Sequence, residues 1–511
     1  MNYHLISFMI FTPLFGAVLQ GLLSGRSYTR WLAFGASVLS SLCALGIATQ
    51  ATAGIAESQL AETFSWIGAY AINYDVSIDG LNGPAVFLIA IVFPVLIAAE
   101  WNHGKGRAGL HAMFLLLQGS LVGALCAQDL FLMFFFWALS SLPFYFLIGV
   151  WGGQERESAA FRSIVSAALG NSLFFAALVL VYYAVDPHSF SIKELSAGRL
   201  SEVRLELFGF ETQLSQVAFI LMGAGLALRT PIWPVHGWYT RAAAHASSTV
   251  FVSLSAVAIP VAATLFMRLS YSLFPEVVAG AAPVLVVLGA VNLLVGGICA
   301  VAQTELRLLL AFVCMSQMGL WMMGVGSLSP AGAVGAIYHL LVFGLAAAGF
   351  GLFAGLVIDR VGTDRFIVGA GDVTSAAGGI ASKAPALATF VGIVVASLLG
   401  FPGSGGFVGQ SLLVIGGYSF SPWVLVLAAG SFLLATYYLF TMYRCVFLGA
   451  VSARTESFVE LTLRERACFF TVVVGLLVFG VYPKPLLELV RPTAQLLLSW
   501  VNGSGLGPIG K

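Results

Sequence analysis

The chain alternates long apolar stretches with short polar connections almost from end to end. Apolar runs recur from Leu5 to Trp500, each near the roughly 20 residues that a helix needs to cross a hydrocarbon core. They predict spans over 5–23, 30–50, 79–99, 109–127, 130–150, 163–184, 214–240, 248–272, 280–300, 306–327, 331–358, 384–418, 421–446 and 467–482. Backbone groups inside a bilayer find no water, so a spanning element is a helix or a strand of a closed barrel. Barrel strands alternate over about 10 residues, whereas these runs are longer and do not alternate. The pattern predicts an all-α polytopic membrane protein of about fourteen transmembrane helices, with Pro485–Trp500 lying along the surface or re-entering the membrane.

Two of the predicted spans are interrupted. In the seventh, RTPIWPVHGW carries Pro231 and Pro234; in the twelfth, FPGSGGFVG (Phe401–Gly409) carries Pro402 and Gly403. Proline removes a helix hydrogen bond and glycine relaxes the backbone. Broken helices persist at membrane depth only where protein or a cavity surrounds them, and ion-carrying inverted-repeat transporters have such pairs near their midplane. The plain alternative is two harmless kinks.

Composition narrows the class. Hydrophobic residues make up 59% of the 511 and charged residues 9%, against about 25% charged in soluble domains, which excludes a soluble enzyme. A net charge of +1 argues against nucleic-acid binding. Six scattered cysteines without a CxxC give no reason to expect a metal site or a disulfide framework. No nucleotide loop, haem pair or iron–sulfur motif is present, so the chain is expected to hold no cofactor, to leave NADH alone and to carry no electrons. The stretch Leu5–Leu23 lacks a cationic leader and reads as the first membrane helix, not a removed signal.

Charge also sets an expected orientation. Connections after odd-numbered spans carry Arg26 and Arg30, Lys105 and Arg107, Arg156 and Arg162, then Arg360, Arg365 and Lys383, then Arg444, Arg454, Arg464 and Arg466. Even-numbered connections are poor in Lys and Arg apart from the longer 185–213 loop. Positive loops stay inside, so both termini are expected on the outer face. An Ala- and Gly-rich chain with no transit segment points to a bacterial cell membrane over an organelle.

Six stretches then converge: QDLFLMFFFWALSSLPFYFLIGVWGG (Gln128–Gly153), LALRTPIWPVHGW (Leu226–Trp238), VAQTELRLLLAFVCMSQMG (Val301–Gly319), FPGSGGFVGQ (Phe401–Gln410), YYLFTMYRCVFLG (Tyr437–Gly449), and LTLRE with GVYPKPLLELV (Leu461–Val490). In this order, from about Asp79 in SIDGLNG to Val490, the chain resembles the antiporter-like membrane subunits of respiratory complex I, those of the subunit M or chain 4 type above all. The resemblance implies fourteen helices, two pseudo-inverted five-helix repeats, and a seat in the membrane arm of an NADH:quinone oxidoreductase beside other membrane-arm subunits. On that basis 1–108 holds N-terminal helices, 109–246 the first repeat, 247–420 the second, and 421–511 the C-terminal helices and tail.

Members of the family move protons along a central row of ionisable residues. A carboxylate in the fifth helix pairs with a lysine in the seventh, and the path continues through a lysine in the eighth to a lysine or carboxylate in the twelfth. Such a row works because a buried lysine gives up its charge readily and a nearby carboxylate can hold or release it. Here the fifth-helix position, five residues before Pro143, is Ala138; the seventh-helix lysine is Arg229; the eighth-helix lysine is Pro260; and the twelfth-helix carboxylate is Gln410. WYTRAAAHASS (Trp238–Ser248) also replaces a WLPDAH-like turn. Arginine keeps its charge at physiological pH and relays protons poorly. Without a partner it costs about 2.5 kcal/mol or more at a helix centre. The resemblance therefore implies a subunit whose own proton path is lost or rerouted.

Other residues could carry part of such a route. Asp129 is the nearby acid, either a partner for Arg229 or a helix N-terminal residue favoured by the helix dipole. His339 lies mid-span in the eleventh helix, where a near-neutral titration suits a relay, but a neutral core histidine is the alternative. His236 and His245 flank the seventh-helix break and either line water or sit at the interface. Glu305 and Arg307 read as surface anchors, and the aromatic run Phe131–Trp137 as lipid-facing or packing residues. The leading expectation is a coupling subunit of a proton-translocating NADH:quinone oxidoreductase. The alternative is a repurposed subunit of another membrane complex, for inorganic-carbon uptake, cation/proton antiport or a membrane hydrogenase. A stand-alone transporter would need a polar midplane pocket, for which charged and amide groups look sparse.

Overall fold

The computed structural model describes residues 4–23, 28–52, 54–102, 108–196, 200, 203–207, 210–366 and 378–503. Arg26, Lys105 and Arg107 of the charge argument lie outside them. Helices α1 (Leu5–Leu22) and α2 (Thr29–Gln50) precede a hairpin of β1 (Gln59–Ile67) and β2 (Ile72–Ile78), then α3 (Gly83–Ala99) and α4 (Ala108–Cys126). The next span is two helices, α5 (Leu130–Leu139) and α6 (Ser141–Trp151), hinged at Ser140. Then come α7 (Arg156–Ala184), the one-turn α8 (Ile192–Leu195), a second hairpin of β3 (Arg204–Leu207) and β4 (Phe210–Gln213), and α9 (Leu214–Ala227).

Helices α10 (Gly237–His245) and α11 (Ser248–Val252) lead into a π-helical turn, Ser253–Ala258, that runs on as α12 (Ile259–Leu273). Three long helices follow: α13 (Pro275–Val301), α14 (Leu306–Gly326) and α15 (Pro330–Val361). The short α16 (Ile380–Lys383) precedes α17 (Pro385–Leu398), α18 (Gly405–Phe420), α19 (Trp423–Phe447), α20 (Leu463–Val481) and α21 (Lys484–Val501).

The result is a mostly helical, polytopic membrane protein. Among the described residues ten helical stretches are long and apolar enough to cross a membrane, or eleven with the bent pair α20–α21. The third, seventh and twelfth predicted spans contain shorter apolar helices, α3, α9 and α17. The all-α expectation needs correction, because two antiparallel hairpins stand in the connections. Ile72, Tyr74, Val76 and Ile78 alternate with polar residues along β2, a period-2 pattern that a helix cannot use. The fifth predicted span is one apolar stretch, Leu130–Trp151, whose helix is interrupted at Ser140. Pro143 cannot donate to Leu139 O four residues back, which frees that carbonyl, while the Ser140 N–H keeps its ordinary helical bond to Phe136 O.

Helix α15 is the centre of the molecule. It is buried almost without interruption from Gly332 to Gly355, under α3, α11, α14, α17, α18, α20 and α21. After a 72° bend from α20, α21 lays Leu486, Val490, Ala494, Leu497, Leu498 and Val501 across α12, α13 and α15. Gly80 lies so close to this helix that a Cβ would come within 2.3 Å of Leu489 O.

Polar clamps fix the parts that hydrocarbon contacts leave loose. Glu62 of β1 accepts the Ile6 N–H at 2.8 Å and the Ser7 N–H at 3.1 Å, so a hairpin carboxylate caps the free donors of α1. Asp79, in the turn before α3, accepts from the Leu81 and Asn82 N–H groups, each at 2.9 Å, and pairs with Arg268 of α12 at 2.6 Å. Arg268 also donates to Gln128 Oε1 at 3.1 Å. Both ends of the ion pair are buried. Arg268→Leu is expected to cost about 3–5 kcal/mol, because it strands a buried carboxylate, whereas Asp79→Asn with Arg268→Met should be roughly neutral. Unfolding of the purified protein in detergent measures both; equal losses in the single and double variants would rule out the pair as the cause.

Candidate functional site

The chain leaves α9 at Ala227 and stays irregular until α10 begins at Gly237, through Pro231 and Pro234. Freed backbone groups in this stretch are met from neighbouring helices. Ser166 Oγ of α7 donates to Leu228 O at 2.6 Å. Asn292 of α13 accepts the Trp233 N–H at 2.9 Å and donates to Pro231 O at 3.2 Å and to Met315 O at 2.8 Å. One amide thus joins the break to α14.

Arg229 reaches from this stretch into the α5–α6 hinge. Its guanidinium donates to Trp137 O at 2.8 Å and to Ser140 Oγ at 2.9 Å, and its central carbon lies 3.9 Å from the centre of the Trp137 ring. Ser140 Oγ in turn donates to Trp137 O at 2.7 Å. Ala138 lies between these partners in sequence, and among the described residues Arg229 forms no ion pair. The charge is held by what remains. Trp137 and Ser140 stand at the C-terminal end of α5, where unpaired carbonyls carry the negative end of the helix dipole. The indole face adds a cation–π contact. Reading Phe131–Trp137 as lipid-facing or packing residues missed this use of Trp137; the proline four residues after Leu139 was the available signal.

Asp129 sits at the other end of the same helix. It is the N-cap of α5, with Oδ1 accepting the Phe131 and Leu132 N–H groups at 2.9 and 3.0 Å, and Oδ2 accepting Asn73 N–H at 3.1 Å. Ten residues of helix put it roughly 15 Å from the Arg229 end. Burial raises its carboxyl above the ordinary value, against the hydrogen bonds that lower it.

The second break is built on glycine and two amides. Gly400 and Gly403 take φ of 68° and 90°, and a Cβ on Gly406 would lie 1.8 Å from Ser397 O. Leu398 O, at the end of α17, accepts from Gln410 Nε2 at 2.9 Å and from Gln317 Nε2 at 3.3 Å. Gln410 therefore patches the backbone at the break. Pro260 lies in the first turn of α12, just after the buried π turn, and brings no charge there. Within that turn Ser255 Oγ lies 2.8 Å from Tyr239 OH.

The histidines stand apart from this chain of contacts. His339 is buried on α15, its ring stacked on Phe343 with centroids 5.6 Å apart, and neither ring nitrogen has a hydrogen-bond partner. It packs against α18, since a Cβ on Gly409 would come within 3.0 Å of its Cα. His236 precedes α10 with its Nδ1 unpaired. His245 lies 3.6 Å from Glu155, which also pairs with Arg241 at 3.1 Å. Glu305 and Arg307 pair with Arg365 and Asp364 at 3.0 and 2.9 Å. Among the described residues no three His, Cys, Asp or Glu side chains gather as metal ligands would.

Comparison with known proteins adds to this geometry. Residues 127–436 match the family described as NADH:quinone oxidoreductase/Mrp antiporter, TM. The chain is 28% identical over 505 residues to NADH-quinone oxidoreductase subunit M of Rhodobacter capsulatus, covering 97% of this chain and 96% of that one. It is 30% identical over 488 residues to NAD(P)H-quinone oxidoreductase chain 4 2 of Thermosynechococcus vestitus, covering 93% and 88%. A chain of respiratory complex I from Thermus thermophilus superposes with a TM-score of 0.86 at 25% identity, covering 97% of this chain and 99% of that one. A chain of the Mrp complex from Dietzia sp. DQ12-45-1b shares the fold, with a TM-score of 0.85 at 20% identity and 97% coverage of each.

The hinge account makes a prediction. Ser140→Ala removes a hydrogen bond to a buried cation and is expected to cost about 1.5–3 kcal/mol. Ala138→Glu in that background should restore much of the loss by supplying a carboxylate. Thermal unfolding in detergent reads both, and an unchanged midpoint for Ser140→Ala would refute the role given to Ser140.

Proposed function

The chain belongs to the NADH:quinone oxidoreductase/Mrp antiporter family, and from that premise we propose that it serves as the subunit M-type component in the membrane arm of a proton-translocating NADH:quinone oxidoreductase. In this reading it crosses the bacterial cell membrane fourteen times, with both termini on the periplasmic side. Residues 109–246 and 247–420 form its two inverted repeats. It couples electron transfer in other subunits to proton movement and carries no redox centre of its own.

We further propose that its own proton path is impaired. The observation that carries this is Arg229, held by the Trp137 carbonyl, the Trp137 ring and Ser140 where the family has a carboxylate and a lysine. A guanidinium stays charged through any physiological cycle. It therefore works as a fixed charge that locks α9 to the α5–α6 hinge and repels a proton arriving from either side. Pro260 and Gln410 remove the next two stations. A second reading, a repurposed subunit of another membrane assembly, is favoured by the same four replacements and by the fold shared with the Mrp complex chain.

Proton pumping by the purified parent complex in sealed vesicles tests the proposal. Arg229→Ala is expected to leave the number of protons moved per electron pair unchanged, and His339→Ala likewise. A fall in that ratio at unchanged electron transfer would mean that a live path runs through the substituted residue. Purification of the chain with partners other than oxidoreductase subunits would favour the repurposed reading.

A further inference from the structure

A cavity of about 440 Å³ lies between α14, the α17–α18 break and α19. Leu293, Ser316 and Leu320 line it from the middle of α13 and α14, which places it at hydrocarbon depth. Phe407, Ile415, Leu425 and Phe432 line it and are also exposed on the outer surface of the molecule, so its mouth faces the lipid. Its volume falls within the roughly 300–1,000 Å³ of small-molecule sites.

The polar groups in this wall are oriented and unmet. Gln317 and Gln410 each donate one Nε2 hydrogen to Leu398 O, which fixes their amide orientation and leaves each with a carboxamide oxygen as acceptor and a second N–H. Gln317 is only 8% exposed, and its Oε1 has no partner. Tyr438, Ser411 and Ser431 line the same cavity, and their hydroxyls form no hydrogen bond among the described residues. An unmatched acceptor in an apolar setting costs about 1–3 kcal/mol, and acyl chains cannot satisfy it. Among the described residues no charged side chain lines the cavity, so a phosphate, an ammonium group or a carboxylate would be buried without a counter-charge.

We infer that this cavity binds a neutral amphiphile whose head donates hydrogen bonds and whose apolar body leaves through the mouth between α18 and α19. Two sources share this chemistry: a hydroxylated ring such as a hydroquinone, and a neutral glyceride with free hydroxyls. A hydroquinone donates to the two carboxamide oxygens and accepts from Tyr438 and the serines. Its oxidised form offers only acceptors, which the hydroxyls and the remaining amide N–H groups can meet but the carboxamide oxygens cannot, so it binds less well. The site does not depend on which assembly carries the chain.

The test uses the full-length protein in lipid nanodiscs with a phenol bearing an alkyl diazirine. Photolabelling is expected on the α18–α19 segment, and hydroquinone or monooleoylglycerol should compete, the stronger competitor identifying the source. The matching quinone should compete about ten-fold less well, as one lost hydrogen bond predicts. Gln317→Leu and Tyr438→Phe should each lower labelling several-fold. Ser431→Ala, which touches no backbone partner, keeps the test valid should Gln317→Leu fail to fold. Equal labelling of that segment by a hydroxyl-free alkyl diazirine would overturn the proposal, as would unchanged labelling in Tyr438→Phe and Ser431→Ala together.

Discussion

A backbone carbonyl set free inside a bilayer has to find its donor within the protein, and the centre of this molecule is arranged around that requirement. Each interrupted span is met by side chains from another helix. Trp137 O takes Arg229, Leu228 O takes Ser166, Pro231 O takes Asn292, and Leu398 O takes Gln317 and Gln410. The same device recurs where Tyr271 OH donates to Val325 O at 2.6 Å. The broken helices are not loose joints as a result. Each is tied to a neighbour through its own main chain.

Under the proposed reading, that arrangement lets the fold stand without the charged row expected from the family. A carboxylate facing a lysine does two jobs, since it can exchange a proton and it also holds two helices together. Arg229 on the end of α5 keeps the second job by drawing on a helix terminus and an indole face. Gln410 keeps it by donating to a carbonyl. Farther out, Glu62 and the Asp79–Arg268 pair do the same for α1 and for the turn before α3. At these places charge holds backbone or helices in place.

Much of this was legible in the sequence, for identifiable reasons. Spans such as Pro330–Val361 announce themselves by length and apolarity, and the breaks at Pro231 and Pro402 by residues that cannot continue a helix. The assignment of Ala138, Arg229, Pro260 and Gln410 to relay positions rests on counting from Pro143, Pro231, the helix start and Pro402. What each replacement touches was not legible. The Ser140 hinge, the tie of Arg229 to Trp137 and the meeting of Gln317 with Gln410 depend on contacts between residues tens to hundreds of positions apart. Arg268 should have drawn notice, because a lone charge in the apolar run 248–272 needs a partner. Amides that looked sparse along the chain proved concentrated, since Asn292, Gln317 and Gln410 all serve the two breaks. The hairpins leave no long apolar run, and their signal in the sequence is only the alternation of Ile72, Tyr74, Val76 and Ile78.

The tie of Arg229 to the α5–α6 hinge bears on the gearing of any machine that includes this subunit. Carrying one elementary charge across a membrane against 100 mV requires about 2.3 kcal/mol. A machine that moves fewer charges for a given drop in redox energy stalls at a higher opposing voltage. A station that holds its charge in place acts like a lower gear, with less distance per stroke and more force. Such a machine would keep turning on a strongly energised membrane where a fully equipped one would halt or run backwards.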